Sequence, residues 1–157
     1  MSTRSESLAA KVDESLKNLL TAVEASRQEQ WTAPCSDGEW TQGFAAFHAA
    51  TNVAPIAQRV KEVAEGQPFP KISMDEINAS NAVEAKEHAA CTMAETIDLI
   101  KGSAPAAVST VRSLSDTQLG IKVQLLEGMP AMTVEMMVEM ALVGHAAYHL
   151  QTIMGAR

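Results

Sequence analysis

Cysteine is scarce in this chain. Cys35 and Cys91 are the only two, and neither stands in a CxxC pair or at a zinc-knuckle spacing, which argues against both a disulfide scaffold and a thiolate metal centre. Their expected role is that of small, buried or half-buried thiols. Basic residues are also few: 12 face 19 acidic ones, for a formal net charge of −7. A chain without a basic stripe is poorly suited to sequence-independent binding of nucleic acid or of an anionic membrane surface. No apolar run approaches the roughly 18 residues of a membrane span, and the polar start MSTRSESLAAKVDESL has no apolar h-region, so the expected location is the cytoplasm. There is no repeat, P-loop or glycine-rich dinucleotide fingerprint. With nine methionines and only four aromatics besides Trp31 and Trp40, the core should be mainly aliphatic.

What the chain does have is helical periodicity, over a length of 157 residues that suits a single domain spanning 1–157. Leu8, Val12, Leu16, Leu19, Leu20 and Val23 form one apolar stripe and predict a first helix over about 5–27, with Thr3 and Glu6 as a capping box. After WTAPCSDGEWTQ, either Ser36 with Glu39 or Thr41 alone caps a second helix through Ala64, bent by Pro55 and stopped by Gly66. QPFPKIS reads as extended. Ser73 and Glu76 cap a third helix ending near Gly102, with Pro105 beyond its stop and a short helix to Leu114. IKVQLLEGMPAMTV reads as an irregular excursion or a small hairpin, and Thr133 caps a last helix through Met154. Helix after helix with no strand series gives an all-α fold, a four-helix bundle.

Two of the four histidines stand in GHAAYHL near the end of the chain. Positions i and i+4 of a helix share a face, so His145 and His149 can each offer a ring nitrogen to one ion. His48, on the apolar-leaning second helix, needs a polar partner of its own. At 1.5 Å of rise per residue, His48 stands roughly 10 Å from the start of helix two, and His149 and His145 roughly 8 and 14 Å from the end of helix four. The three are level only if those helices run antiparallel. That requires one crossover connection, through QPFPKIS or through the segment after Gly102; eight extended residues reach roughly 26 Å, just enough for the shorter route. His88 falls roughly 20 Å from the same end, well below that level, and is expected to pair with Glu84 or a neighbour at the core boundary.

With W-x8-WTQGFAAFH and a final HAAYH, the sequence resembles the DinB-like (damage-inducible) superfamily of four-helix metal-binding proteins. SDGEWTQGFAAFHAA is similar to the family's opening of helix two, GQPFP to the connection after it, and GHAAYHLQ to its last-helix histidine pair. The resemblance implies an up-down-down-up bundle with the crossover between helices two and three, and metal ligands at His48, His145 and His149. It also implies homodimers, a divalent ion such as zinc or nickel, and, among members with a known reaction, transferases and isomerases that use small-molecule thiols. The chain departs from that chemistry in one respect: EGMPAMTVEMM offers no basic cluster for an anionic thiol, and Arg59, Lys61, Lys71 and Arg112 are scattered.

Three imidazoles on a tetrahedral ion leave a fourth position open, which is the catalytic pattern. The expected activity is therefore that of a metal-dependent hydrolase or thiol-dependent transferase acting on a small molecule. The alternative is a noncatalytic metal-binding or stress-related bundle, and a haem bundle is the third reading. Histidine ligation also suits iron and manganese. No catalytic acid or base is assigned. Glu39 and Asp37 read as capping or solvated carboxylates, Tyr148 as an edge residue, Trp31 and Trp40 as covers of the bundle end, and Asn52 as a partner of the local backbone or of a ligand ring.

Overall fold

The computed structural model describes residues 2–157 and is mostly helical. Helix α1 spans Thr3–Glu24 and buries Leu8, Val12, Leu16, Leu19 and Val23, the predicted stripe. Its capping box is built from Ser2 and Ser5, one residue ahead of the predicted Thr3 and Glu6. A short helix α2, Gln28–Thr32, follows. Thr41 caps α3, Gln42–Thr51, by accepting from the Phe44 amide, and α4 continues as Val53–Ala64. The break at Asn52 is the bend expected of Pro55, whose missing N–H would otherwise reach back to Thr51. Gly66, at φ +84°, ends the pair as predicted.

The third predicted helix is two helices. Ser73 and Glu76 do form a capping box, opening α5, Met74–Glu87, but the helix ends at His88. A second box, Thr92 with Glu95, starts α6, which runs Met93–Arg112 straight through Gly102 and Pro105. Packing overrides these two breakers: α6 buries Thr96, Ile100, Ala107, Val108 and Val111, while Lys101, whose carbonyl Pro105 cannot reach, lies exposed where water can satisfy it. The short helix foreseen after Pro105 is the end of this longer one. Helix α7, Asp116–Leu119, leads into a two-stranded antiparallel hairpin, β1 (Lys122–Val123) with β2 (Met132–Thr133), which is the foreseen excursion. Thr133 caps the last helical stretch: α8 (Val134–Val138), a π-helical segment (Glu139–Gly144) and α9 (His145–Met154).

Four layers of helix enclose the core: α1, the α3–α4 pair, α6 and the last stretch. Leu16, Leu19, Ile100 and Leu142 are fully buried between them, each stabilising the fold by roughly 1.5–3 kcal/mol relative to an exposed position. Along one flank, Arg4 pairs with Glu135, Lys11 Nζ lies 2.6 Å from Glu139 Oε1, and the Ser15 hydroxyl donates to the Val143 carbonyl at 3.0 Å. On another, the Arg112 guanidinium at the end of α6 binds Glu6 near the start of α1 at 3.0 Å. Helix α3 packs on α9, and α4 packs on α8 and the π-helical segment. Helix α5, by contrast, buries no residue. It lies in the connection between α4 and α6 and is free to serve the site.

Candidate metal centre

Every residue of α3 from Gln42 to Ala50 is buried, so His48, only 4% exposed, must find its polar partners inside the protein. It has two. Its Nδ1 lies 2.8 Å from Glu84 Oε2 on α5, and because a carboxylate can only accept, the proton of that bond belongs to Nδ1. The opposite nitrogen, Nε2, is then a bare lone pair. It faces His145 Nε2 at 3.2 Å, and His145 Nε2 in turn faces His149 Nε2 at 3.2 Å. One ligand nitrogen from each of the three histidines lies within 4.8 Å of the others.

These distances fit one ion. Two nitrogens each about 2.0–2.1 Å from a tetrahedral centre stand roughly 3.3–3.4 Å apart, close to the 3.2 Å of the two contacts here. Burial, assisted by His48, pushes the His145 imidazole down to about 4; burial, assisted by His145 and then His48, pushes His149 down to about 3. Both rings are therefore neutral near pH 7, the form that ligates. Trp40 encloses the trio on one side. Its ring stacks on His149 with centroids 5.6 Å apart and meets His48 edge-on at 4.9 Å. On the other side, His48 and His145 floor a cavity of about 610 Å³.

Several residues singled out in the sequence fall elsewhere. His88 caps the end of α5, exposed, with its ring 4.7 Å from that of Phe47. Its expected partner Glu84 binds His48 instead, since α5 ends at His88 and does not continue as one third helix. Asp37 accepts from the Glu39 amide in an exposed turn, and Asn52 donates to the His48 carbonyl at 2.8 Å, the local bond foreseen for it. Trp31 is buried and Tyr148 is exposed at the cavity edge. Cys35 and Cys91 are free thiols. Burial pushes the Cys91 thiol up to about 11 and raises that of Cys35, so both are protonated near neutrality.

Glu84 is the residue that sequence reasoning missed. A carboxylate that takes the far N–H of a ligating histidine fixes its tautomer and raises its basicity. Glu84→Ala should therefore weaken divalent-ion affinity about 10- to 100-fold in competition with a chromophoric chelator. His88→Ala should leave that affinity unchanged. Equal affinity in wild type and Glu84→Ala would remove Glu84 from the site.

A helical bundle whose second and last helical layers converge three imidazoles beside an open cavity defines a candidate three-histidine metal-binding bundle. The chain belongs to the DinB superfamily, whose family model matches residues 11–153. No curated protein and no solved structure gives a significant match. Among the described residues, no helix is long and apolar enough to cross a membrane.

Proposed function

We propose that the protein is a divalent-metal-dependent enzyme, a hydrolase or thiol-dependent transferase, acting on a small molecule at His48, His145 and His149. The observation that carries this reading is the open side of the histidine trio: His48 and His145 form the floor of a cavity, so a reactant can reach the fourth position of a bound ion. A purely structural site would be closed by a fourth protein ligand. When bound, the ion supplies Lewis acidity, which makes a water or thiol at the open position acidic or polarises a carbonyl.

The chain's own residues supply the rest. Glu84 holds the His48 ring with Nε2 turned toward its partners, Asn52 ties the same turn of helix to its backbone, and Trp40 excludes water from the His149 face. The cavity lining contains no carboxylate, so proton transfer at the open position would fall to the Tyr148 hydroxyl, to solvent or to the substrate itself. Zinc and nickel are the ions proposed, with a homodimer as the assembly and the cytoplasm as the location.

The same reading takes residues 1–157 as one domain with its bundle order up, down, down, up and its crossover between α4 and α6. It is supported by the ordered contacts of Arg4, Lys11 and Ser15 with Glu135, Glu139 and Val143, by Arg112 with Glu6, and by α3 meeting α9 while α4 meets α8.

The test is a cobalt(II)-substituted sample titrated with azide and with a small thiol. Entry of either into the coordination sphere shifts the visible absorption, and metal-dependent turnover of esters or of thiol acceptors should follow. A spectrum insensitive to both would favour the alternative, a noncatalytic metal-binding bundle.

A further inference from the structure

We infer that the cavity above the histidines selects a small molecule with an uncharged, predominantly apolar body and a single polar group at the histidine end. This deepens the reading of the trio as a reaction site and rests on it for the orientation of the ligand. At about 610 Å³ the cavity lies within the roughly 300–1,000 Å³ typical of small-molecule sites. Its walls come from separate parts of the chain. Ile56 lies on α4, Ile72 in the crossover, Ile77 on α5, Leu125 in the hairpin excursion, Met137 on α8 and Met140 in the π-helical segment. Crossover and excursion are stitched together by main-chain bonds, the Ile72 amide to the Leu125 carbonyl at 3.2 Å and the Glu127 amide to the Ile72 carbonyl at 3.1 Å, so this wall is built rather than a chance gap between loops.

The charge of the lining decides the ligand class. Arg59 is its only formally charged residue; its half-exposed guanidinium has Nη1 3.0 Å from Glu62 Oε2 and sits over the Phe69 ring, 5.6 Å from its centroid. Away from the histidine end, a charged group on the ligand's body would have to leave water for an aliphatic wall with no cation but Arg59 near it. The Asn81 amide and the Tyr148 hydroxyl have no hydrogen-bond partner among the described residues. Each can hydrogen-bond a polar group of a ligand. Methionines at positions 132, 137 and 140 give a wall that adapts to ligand shape.

Two probes with the same aromatic body separate the possibilities: N-phenyl-1-naphthylamine, which is neutral, and its 8-sulfonate, which is anionic. Titrated in high salt, which screens the net charge of −7, the full-length protein should bind the neutral probe at least about tenfold more tightly. Ala141→Phe, which fills the half-buried cavity wall one turn before His145, should lower that affinity at least about tenfold and leave circular dichroism unchanged. If Ala141→Phe disturbs the fold, Leu126→Asp on the excursion replaces it, with the same expected loss. Equal binding of the two probes, or neutral-probe binding untouched by either substitution, would overturn the inference; so would probe binding lost as the protein dimerises, which would assign the face to a second copy. Every titration is run with metal and with chelator. Neutral-probe binding without stoichiometric metal sinks the metal reading alone, whereas stoichiometric metal without probe selectivity sinks this inference alone.

Discussion

Replacing His48, His145 and His149 together by alanine abolishes stoichiometric binding of divalent metal, measured by elemental analysis of protein purified without added metal. The expectation rests on convergence: His145 Nε2 lies 3.2 Å from both His48 Nε2 and His149 Nε2, and no second group of histidines, cysteines and carboxylates with this geometry occurs among the described residues. Stability offers an independent reading. An ion that binds only the folded state stabilises it by about 2.7 kcal/mol at a hundredfold excess over its dissociation constant. The wild-type unfolding midpoint should therefore rise with metal and fall with chelator, whereas the triple variant should respond to neither. Part of any change is metal-independent, since His48 and His149 are buried and their truncation leaves space behind; comparing the two proteins in chelator isolates that part. Retention of one ion per chain by the triple variant would refute the assignment of the site.

The convergence of the three histidines was more legible in the sequence than the structure around it. The level calculation for His48 needed only the start of one helix and the end of another, and Thr41 as cap and Met154 as last helical residue both stand as expected. The i, i+4 spacing of His145 and His149 did the rest, because α9 is regular over that pair. Glu84 was hidden by a different kind of error. Its role depends on α5 being separate from α6, and the signal for that was present as a second capping box at Thr92 and Glu95. Gly102 and Pro105 drew attention instead, although the packing of Ala107, Val108 and Val111 outweighs their local preference. The short α2 and the π-helical turn before His145 left no periodic trace, being only five and six residues long.

Trp31 fastens α2 to the bundle, and its removal should cost about 3–5 kcal/mol of unfolding free energy. The indole is 4% exposed, and its Nε1 donates to the Cys91 carbonyl at 2.8 Å, tying the segment before α3 to the turn between α5 and α6. The ring lies so close to α3 that only glycine fits beneath it. A Cβ on Gly43 would stand 2.5 Å from Trp31 Cε2 and Nε1, and the hydrogen bond to Cys91 keeps the ring from retreating. Two opposed terms therefore act on Gly43→Ala: overpacking costs about 1–3 kcal/mol, while alanine in place of glycine inside a helix gains about 0.8–1 kcal/mol. With Trp31 present the first term prevails and the substitution destabilises. With Trp31→Ala the obstruction is gone, only the helical gain remains, and Gly43→Ala becomes stabilising. Urea unfolding of the two single variants and the double variant in chelator measures this reversal as a coupling energy. The same destabilisation by Gly43→Ala in both backgrounds would mean that the close approach of ring and helix does not govern this corner, and that the conserved cost lies in α3 itself.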